Sequence, residues 1–507
     1  MAVTAFAIGT ALAVAIVAFV VPLLTSPLNH IPGPFAAKLT DLWRLLVVWK
    51  GNAHEVHRKL HKQYGSVVRL GPNCVSINDP NLIKVIYSSK TRWEKSAFYN
   101  VHDFVLGKQI LSNVFSTRDE NWHTAMTKPV HSVFTTTNVL QFEGLMTDII
   151  RYFNQRLVEQ FVASDKPWDI GLWLHLLAWD IISAVTFSRN LGFLRNGSDI
   201  DNLILYGQDA LDYQAVIGQM PWLDKLLDKN LYWRNGPPAS QAALGFALGT
   251  IGEREKDRSE GRRDSKTAGH EVQRDLLDDF LDLRDGSEAV TDQHVLAWIM
   301  ASVIAGSDTT AIELRAIVYF LCKDPSKKRK LQAELDAVSS DSGVISRKDA
   351  SKLPYLDAVV RESVRLHPAV ALSLERLVPV EGFKLPDGEF LPGGTVIGIN
   401  PAVIHYNSEV YGSDVEKFVP ERWLKKDGEA IEVFQERTQR MRETDMSFGY
   451  GKRACIGKNV AQVEIYKIIG TLFQKYGLEL VEPEKEWKTK NKWFHWQWDL
   501  NCHIKAR

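Results

Sequence analysis

The ten-residue run Phe448–Gly457, FGYGKRACIG, constrains this chain more than any other part of its sequence. Its glycines let the backbone approach a flat macrocycle, because they carry no side chain and tolerate positive φ angles. Apolar residues at helical spacing after Cys455, such as Val460 and Val463, predict a helix that begins near the thiol. The N–H groups and dipole at the start of a helix favour a thiolate, and Arg453 can make a charge-assisted contact with an anion. The run therefore predicts a loop that carries a thiolate metal ligand to a flat, anionic group.

Chance explains this run poorly, because average residue frequencies put a match to F-x-x-G-x-R-x-C-x-G at about one in ten thousand chains of this size. An isolated cysteine is most often a small buried hydrophobe, which we expect for Cys74 and Cys322. The four cysteines, of which Cys502 is the last, form no C-x-x-C pair. Their spacing argues against a zinc module or a disulfide framework and fits a reducing compartment.

The run resembles the cysteine loop of the cytochrome P450 superfamily, and three further motifs appear in the order of that family, so that the resemblance spans nearly the whole sequence. It implies that Cys455 is the axial ligand to the iron of heme b, and bound iron itself favours the thiolate. It also implies that Arg453 contacts a heme propionate, and it assigns further heme-binding positions to Phe448, Gly449, Gly451 and Gly457.

The first further motif is the E-x-x-R pair of Glu362 and Arg365, whose spacing places both side chains on one helix face. Alone, such a pair would be a routine surface contact worth about a few tenths of a kcal/mol. In the family it joins an arginine of a downstream motif, and here Phe418–Trp423 supplies Arg422. The resemblance implies that these three residues brace the heme-binding region as structural support and take no part in catalysis.

The segment Ala305–Thr310, AGSDTT, resembles the oxygen-side helix signature of the family. A hydroxyl that bonds to the carbonyls of its own helix can loosen a turn and admit oxygen and water. The resemblance implies that Ala305 and Gly306 lie against the heme, that Thr309 hydrogen-bonds to the oxygen, and that Asp308 helps to deliver protons through water. Without Cys455, a polar pair that faces another helix would be the better interpretation.

The chain departs from the family at Trp122. The family often has Trp-x-x-x-Arg here, with both residues on a heme propionate, whereas this chain reads WHTAM and ends on Met126. Trp122 can still donate its indole N–H, and Arg376, which follows the E-x-x-R helix at a family-like distance, can carry more of the propionate load. His123 or Lys128 could compensate for the missing arginine. Without the resemblance, Trp122 would be interpreted as core packing.

The stretch Ala2–Leu24 is uncharged and largely apolar. A helix of this length, at about 1.5 Å per residue, crosses a hydrocarbon layer of about 30 Å. It is longer than the h-region of a signal peptide and no basic n-region precedes it, which favours an anchor over a cleaved signal. The first cations, Lys38, Arg44 and Lys50, follow the span, so the positive-inside rule places the body in the cytoplasm. We expect a single-pass protein of the endoplasmic reticulum membrane.

Three parts are predicted along the chain. Residues 1–26 form the transmembrane anchor, residues 27–40 form a stiff, non-helical proline-rich connector, and residues 41–507 form a heme-thiolate catalytic domain. The pattern of the last part is mainly helical, with a few strand-like runs. The predicted fold class is therefore mainly α with small β-sheets, and the resemblance implies the cytochrome P450 fold.

Two stretches of the catalytic part have a composition that stands out from the rest. The charged stretch Glu253–Lys266 predicts a surface connection. Val295–Leu321 is long and apolar enough to suggest a second membrane span, but Asp308 and Arg315 within it favour a buried helix of a soluble domain.

The charge balance and the motifs limit the function classes. Lys and Arg equal Asp and Glu at 61 each, so no basic field indicates nucleic acid as a partner. No dinucleotide or P-loop motif is present, so reducing equivalents would come from another protein. The resemblance implies a monooxygenase that inserts one oxygen atom from O2 into an apolar small molecule, by hydroxylation, epoxidation or oxidative demethylation. Its electrons would come from NADPH through a separate NADPH-cytochrome reductase, with a small b-type cytochrome as an additional partner and Lys452 and Lys458 as docking cations.

Two other functions stay open. A heme-thiolate isomerase or dehydratase would need no reductase, although the intact pair of Asp308 and Thr309 disfavours it. A heme-based sensor or carrier would bind ligands and turn nothing over. Consumption of NADPH in the presence of reductase and a substrate would distinguish these functions from monooxygenation.

The identity of the substrate is the property that the sequence indicates least. By family analogy the pocket would draw on five segments, and two runs, Tyr64–Asn73 and Arg274–Leu281, resemble filamentous-fungal members that include the pisatin demethylase group. The resemblance implies secondary metabolism or detoxification without naming a compound. The five pocket segments are Ser96–Val114, Asp212–Leu226, Ile299–Thr310, Ala369–Leu374 and Trp493–Trp496.

Overall fold

The computed structural model describes residues 10, 24–88, 93–164, 166–237, 239–263, 273–339 and 342–507. The predicted membrane anchor falls almost wholly outside these residues, so the span and the three-part division of the chain stay predictions.

Helices make up most of the described chain, as the sequence pattern predicts. In chain order they are α1 Phe35–Leu39, α2 Leu42–Trp49, α3 Ala53–Tyr64, α4 Ile83–Ile86, α5 Glu120–Thr127, α6 Thr136–Val139, α7 Glu143–Leu157, α8 Ile170–Phe187, α9 Phe193–Asn196, α10 Leu203–Ile217, α11 Ala239–Ser259, α12 Leu276–Asp285, α13 Asp292–Lys323, α14 Pro325–Leu335, α15 Arg347–Ala350, α16 Pro354–Leu366, α17 Pro401–Ile404, α18 Ser408–Tyr411, α19 Ile431–Thr444 and α20 Lys458–Lys475.

The strands are short and form small sheets. A four-stranded sheet has the order β1-β2-β9-β6, in which β2 and β9 are parallel and the other pairs antiparallel. A three-stranded sheet has the order β10-β13-β5, and three hairpin pairs complete the set. The mainly α class with small sheets is confirmed. The strands are β1 Val67–Gly71, β2 Cys74–Ile77, β3 Phe104–Leu106, β4 Gln109–Leu111, β5 Trp168–Asp169, β6 Arg376–Leu377, β7 Phe383–Lys384, β8 Phe390–Leu391, β9 Val396–Ile399, β10 Tyr476–Leu480, β11 Lys488–Asn491, β12 His495–Trp498 and β13 Asn501–Ala506.

Helices α8 and α13 form the centre of the main core. Among the described residues they are the two helices long and apolar enough to cross a membrane, yet α8 is almost wholly buried and α13 largely so. Arg315 of α13 donates to the carbonyl of Gly171 at 2.8 Å, so this N–H group has a partner inside the protein. The prediction that Val295–Leu321 is a buried helix is confirmed.

The prediction of a surface connection over Glu253–Lys266 is wrong for its first half. Helix α11 continues to Ser259, and Arg254 within it is buried. Its guanidinium makes a bidentate pair with Asp275, at 2.8 Å from each carboxylate oxygen, and bonds to Asp278 as well. The charged composition favours a solvated stretch, but Arg254 is buried because Asp275 and Asp278, at the start of α12, supply its counter-charges.

The predicted connector is also different from expectation. It is not wholly non-helical, because α1 spans Phe35–Leu39, and it packs on the body, because Leu28 and Ile31 are buried. Arg69 of β1, itself fully buried, donates to the carbonyl of Leu28 at 3.0 Å and to the hydroxyl of Ser26 at 2.9 Å.

Replacement of Arg69 by Met should release this segment. Buried carbonyls that lose their donor keep their desolvation cost, so we expect the free energy of unfolding to fall by about 3 kcal/mol and limited proteolysis to cut near residues 26–33. Chemical unfolding and mass spectrometry of the fragments measure both effects. Lys62→Met on the exposed face of α3 is the control. An Arg69→Met protein with unchanged stability and cleavage would contradict the proposed docking.

Candidate active site

The loop that carries Cys455 is shaped by its glycines. Gly449 and Gly451 have φ values of 69° and 65°, a backbone conformation that disfavours other residues. A side chain at Gly451 would also collide with the carbonyl oxygen of Tyr87, which lies 1.7 Å from the position of an added Cβ. The amide of Cys455 donates to the carbonyl of Phe448 at 2.8 Å and closes the loop.

Cys455 is exposed, yet the protein surrounds it closely enough that burial raises the pKa of its thiol to about 11. An accessible side chain with lost hydration is one that lines an internal cavity. The backbone N–H groups of Gly457 and Lys458, at the start of α20, act in the opposite direction and lower the pKa. The helix start thus favours the thiolate as predicted, but burial outweighs it, and a bound cation would supply the remaining stabilisation.

Helix α13 faces this loop. Glu313 of α13 lies close enough to Cys455 to raise the pKa of the thiol, and about two turns earlier Ala305 is exposed in the middle of the helix. Thr309 donates to the carbonyl of Ala305, and Thr310 to that of Gly306, both at 2.9 Å. The hydroxyls bond to their own helix as expected, although the helix itself is not interrupted.

Asp308 is directed elsewhere. Its buried carboxylate lies 2.7 Å from Nε2 of His175 on α8, and Nδ1 of His175 lies 3.1 Å from the guanidinium of Arg315. Burial lowers the pKa of His175 more than the hydrogen bond to Asp308 raises it. Neighbouring residues on a helix point about 100° apart, so the carboxylate of Asp308 and the hydroxyl of Thr309 serve different surroundings. A lone histidine in an apolar helix carried no signal in the sequence.

The three support residues come together around one carboxylate. Glu362 is fully buried and accepts two bonds from Arg365, at 2.8 and 2.9 Å, and one from Arg422 at 3.2 Å. The indole of Trp423 donates to it at 2.9 Å, and the amide of Val419 at 3.1 Å. The geometry supports a bracing role. Because every group is desolvated, the loss of one partner costs far more stability than the loss of a surface pair would.

His405 connects this cluster to the cysteine loop, and sequence reasoning missed it. Arg365 donates to the carbonyl of His405 at 2.8 Å, while Nε2 of His405 accepts the amide of Met446 at 2.9 Å, two residues before Phe448. Burial lowers the pKa of His405 to about 4, so the ring stays neutral and can accept this bond.

The region of the missing arginine is only partly as expected. Trp122 is half-buried on α5, and Met126 is buried, its carbonyl accepting the indole of Trp298 at 2.7 Å. Burial lowers the pKa of His123 to about 3, so it carries no positive charge at neutral pH. Lys128 is exposed. Neither of these two residues replaces an arginine at 126 as a buried cation.

The two predicted propionate arginines are both buried. Arg453 bonds to Glu120 through Nε at 2.9 Å and Nη2 at 2.7 Å, a partner that the sequence did not indicate. Arg376 donates to the carbonyl of Glu375 at 2.8 Å. No carboxylate of the described residues lies within ion-pair distance of Arg376.

These features fit a heme. Cys455 and Ala305 offer accessible surface between packed elements, and the buried Arg376 calls for an anion. Both ring nitrogens of the buried His102 lack a hydrogen-bond partner within the described chain. A flat, largely apolar group with carboxylates satisfies these requirements.

Four of the five predicted pocket segments meet in one apolar cluster. Phe98 packs against Trp493 at 5.2 Å between ring centroids. All of the members from these segments are buried, so they pack against each other and support the pocket wall. The members from the predicted segments are Phe98, Tyr99, Ala215, Ala369, Leu372, Trp493, Phe494 and Trp496.

Comparison with known proteins identifies the family of the chain. A family model described as Cytochrome P450 matches residues 32–500. The chain is 38% identical to the cytochrome P450 monooxygenase cicH of Emericella nidulans, over 95% of this chain and 94% of that protein. It is 39% identical to a cytochrome P450 monooxygenase of Aspergillus terreus, over 92% and 93%. It is 36% identical to the cytochrome P450 monooxygenase cfoH of Aspergillus candidus, over 96% and 90%.

Replacement of Glu362 by Gln tests the bracing cluster. It leaves Arg365 buried without a counter-charge, while Arg422 keeps Asp414 at 2.7 Å, so we expect the free energy of unfolding to fall by about 3–5 kcal/mol. Chemical unfolding measures this loss, with Glu409→Gln as a control at an exposed position. If both variants stayed within about 0.5 kcal/mol of the unchanged protein, the carboxylate would have no bracing role.

Proposed function

The chain belongs to the cytochrome P450 family of monooxygenases, and on that premise we propose that it binds heme b through Cys455 and inserts one oxygen atom from O2 into an apolar small molecule. The observation that carries this proposal is the accessible thiol on a glycine-shaped loop that faces α13. The relatives are named as monooxygenases, which does not favour an isomerase or a sensor.

Each residue of the site has a part in this proposal. Heme, when bound, supplies the iron at which O2 is activated. Cys455 is its ligand, and the hydroxyl of Thr309, which bonds to the Ala305 carbonyl, can turn to hold a proton on the α13 side. The carboxylate of Asp308 is hydrogen-bonded to Nε2 of His175 on α8. In this proposal the carboxylate helps to deliver protons through water.

Electrons come from outside the chain in this proposal. A membrane-bound NADPH-cytochrome reductase is the proposed donor, and the exposed Lys458, which lies 5.5 Å from the ring of Phe448, is a docking cation next to the loop. Lys452 contributes less charge, because it pairs with Glu120 at 3.2 Å. Location at the endoplasmic reticulum membrane, with the catalytic domain in the cytoplasm, belongs to the same proposal.

The substrate class follows from the aromatic wall. The ring centroid of Trp493 lies 5.2 Å from that of Phe98 and 5.9 Å from that of Phe115, and Phe115 is exposed. Such a surface suits an apolar, medium-sized molecule of fungal secondary metabolism or detoxification. Spectral titration of a metabolite panel would identify it.

Replacement of Cys455 by Ser tests the ligand assignment. A serine oxygen cannot reproduce a thiolate, so the reduced, carbon-monoxide-bound protein should lose its thiolate-type absorption band. Absorption spectroscopy measures this, and Cys322→Ala, at a buried cysteine away from the loop, should keep the band. A thiolate-type band in Cys455→Ser would refute the proposed ligand.

Replacement of Thr309 by Ala tests proton handling. Without the hydroxyl, we expect product formed per NADPH consumed to fall about tenfold or more, with peroxide released instead. The assay uses a substrate found by spectral titration and the reductase. Thr309→Ser should restore coupling, and Thr310→Ala, which removes a buried neighbouring hydroxyl, should retain it. Equal coupling in all variants would exclude a role for Thr309.

A further inference from the structure

Lys95 is a buried cation without a counter-charge. Lys95 is only 4% exposed. No carboxylate of the described residues lies within ion-pair distance of its Nζ. The ammonium donates to the carbonyl of Phe115 and lies 4.0 Å from the ring centroid of Tyr99. Lysine is almost never buried unless it is paired, and a carbonyl with aromatic faces offsets only part of the lost hydration.

The surroundings of Lys95 add positive charge. An isolated β-bridge joins its backbone to that of Arg376. Burial lowers the pKa of Lys95, and the charges of Arg376 and Arg453 lower it further. Glu120 is the one carboxylate that acts on this group, and it is bonded to Arg453.

The neighbouring Glu375 does not neutralise the cluster. It is engaged by Arg44 and by the hydroxyl of Ser96, which donates at 2.5 Å. Glu120 is also shared with Lys452, so the three cations Lys95, Arg376 and Arg453 have at most one carboxylate among them and keep an excess of at least two positive charges. The two carboxylates of heme b match that excess.

We infer that Lys95 is the positioning residue that stands in for the arginine missing at Met126, and that it binds a heme carboxylate together with Arg376 and Arg453. The other candidates fail on burial or charge, since Lys128 is exposed and His123 is neutral. The inference rests on the heme site proposed above. It concerns how the heme is held and not which atom ligates the iron.

Lys95→Met keeps the length of the buried stem and removes the charge. We expect heme transfer to excess apomyoglobin to be about tenfold faster than in the unchanged protein, the effect of losing one charge-assisted contact. Lys95→Arg should restore slow transfer. Lys128→Met, an exposed lysine just beyond α5, is the matched control and should behave as the unchanged protein does.

A second readout separates a charge contact from packing. Loss of the ammonium should raise the pKa of the heme carboxylate, which moves the inflection of the heme reduction potential against pH upward; spectroelectrochemistry measures it. Unchanged transfer, or faster transfer with an unmoved inflection and no rescue by Lys95→Arg, would overturn the inference. If instead the unchanged protein showed no thiolate-type band, the proposed function would fail before Lys95 was tested.

Discussion

The rest of the site depends on the buried carboxylate of Glu362. Two arginines are desolvated around it, and Arg365, which has no other carboxylate partner among the described residues, would be costly to bury without it. Through Arg365 and His405 the same network reaches the amide of Met446, just before the cysteine loop. Helix α16 and the loop are therefore one hydrogen-bonded unit. A thiolate that must lie at a defined position needs such support, because a ligand on an otherwise free loop would be held too loosely.

The four-stranded sheet provides the second support. Tyr87 limits Gly451 by close contact of its carbonyl, and its hydroxyl donates to the carbonyl of Leu374 at 2.7 Å while accepting the amide of Ile399 at 2.8 Å. One tyrosine thereby fixes the loop against the strands. Since β6 carries Arg376, the same contact brings the buried cations to the cysteine side of the protein.

Some predictions from sequence succeeded because they depended on local chemistry. The glycine positions of the loop, the buried character of α13 and the E-x-x-R spacing all follow from backbone geometry and periodicity. The prediction of a surface connection failed where partners are distant in the chain, because the sequence does not show that Asp275 pairs with Arg254. The sequence also did not indicate that Asp308 contacts His175, since a contact between two helices leaves no local pattern.

The sequence by itself determined the family of this protein, since the spacing around Cys455 is that of the family's cysteine loop, and it predicts a thiolate ligand there. Only the tertiary structure decided which charges are buried together. Burial and pairing depend on residues hundreds of positions apart, as Lys95 and Arg376 show. Periodicity along the chain does not indicate such distant contacts. The fold therefore sets the electrostatic surroundings of the site, while the sequence predicts its ligand.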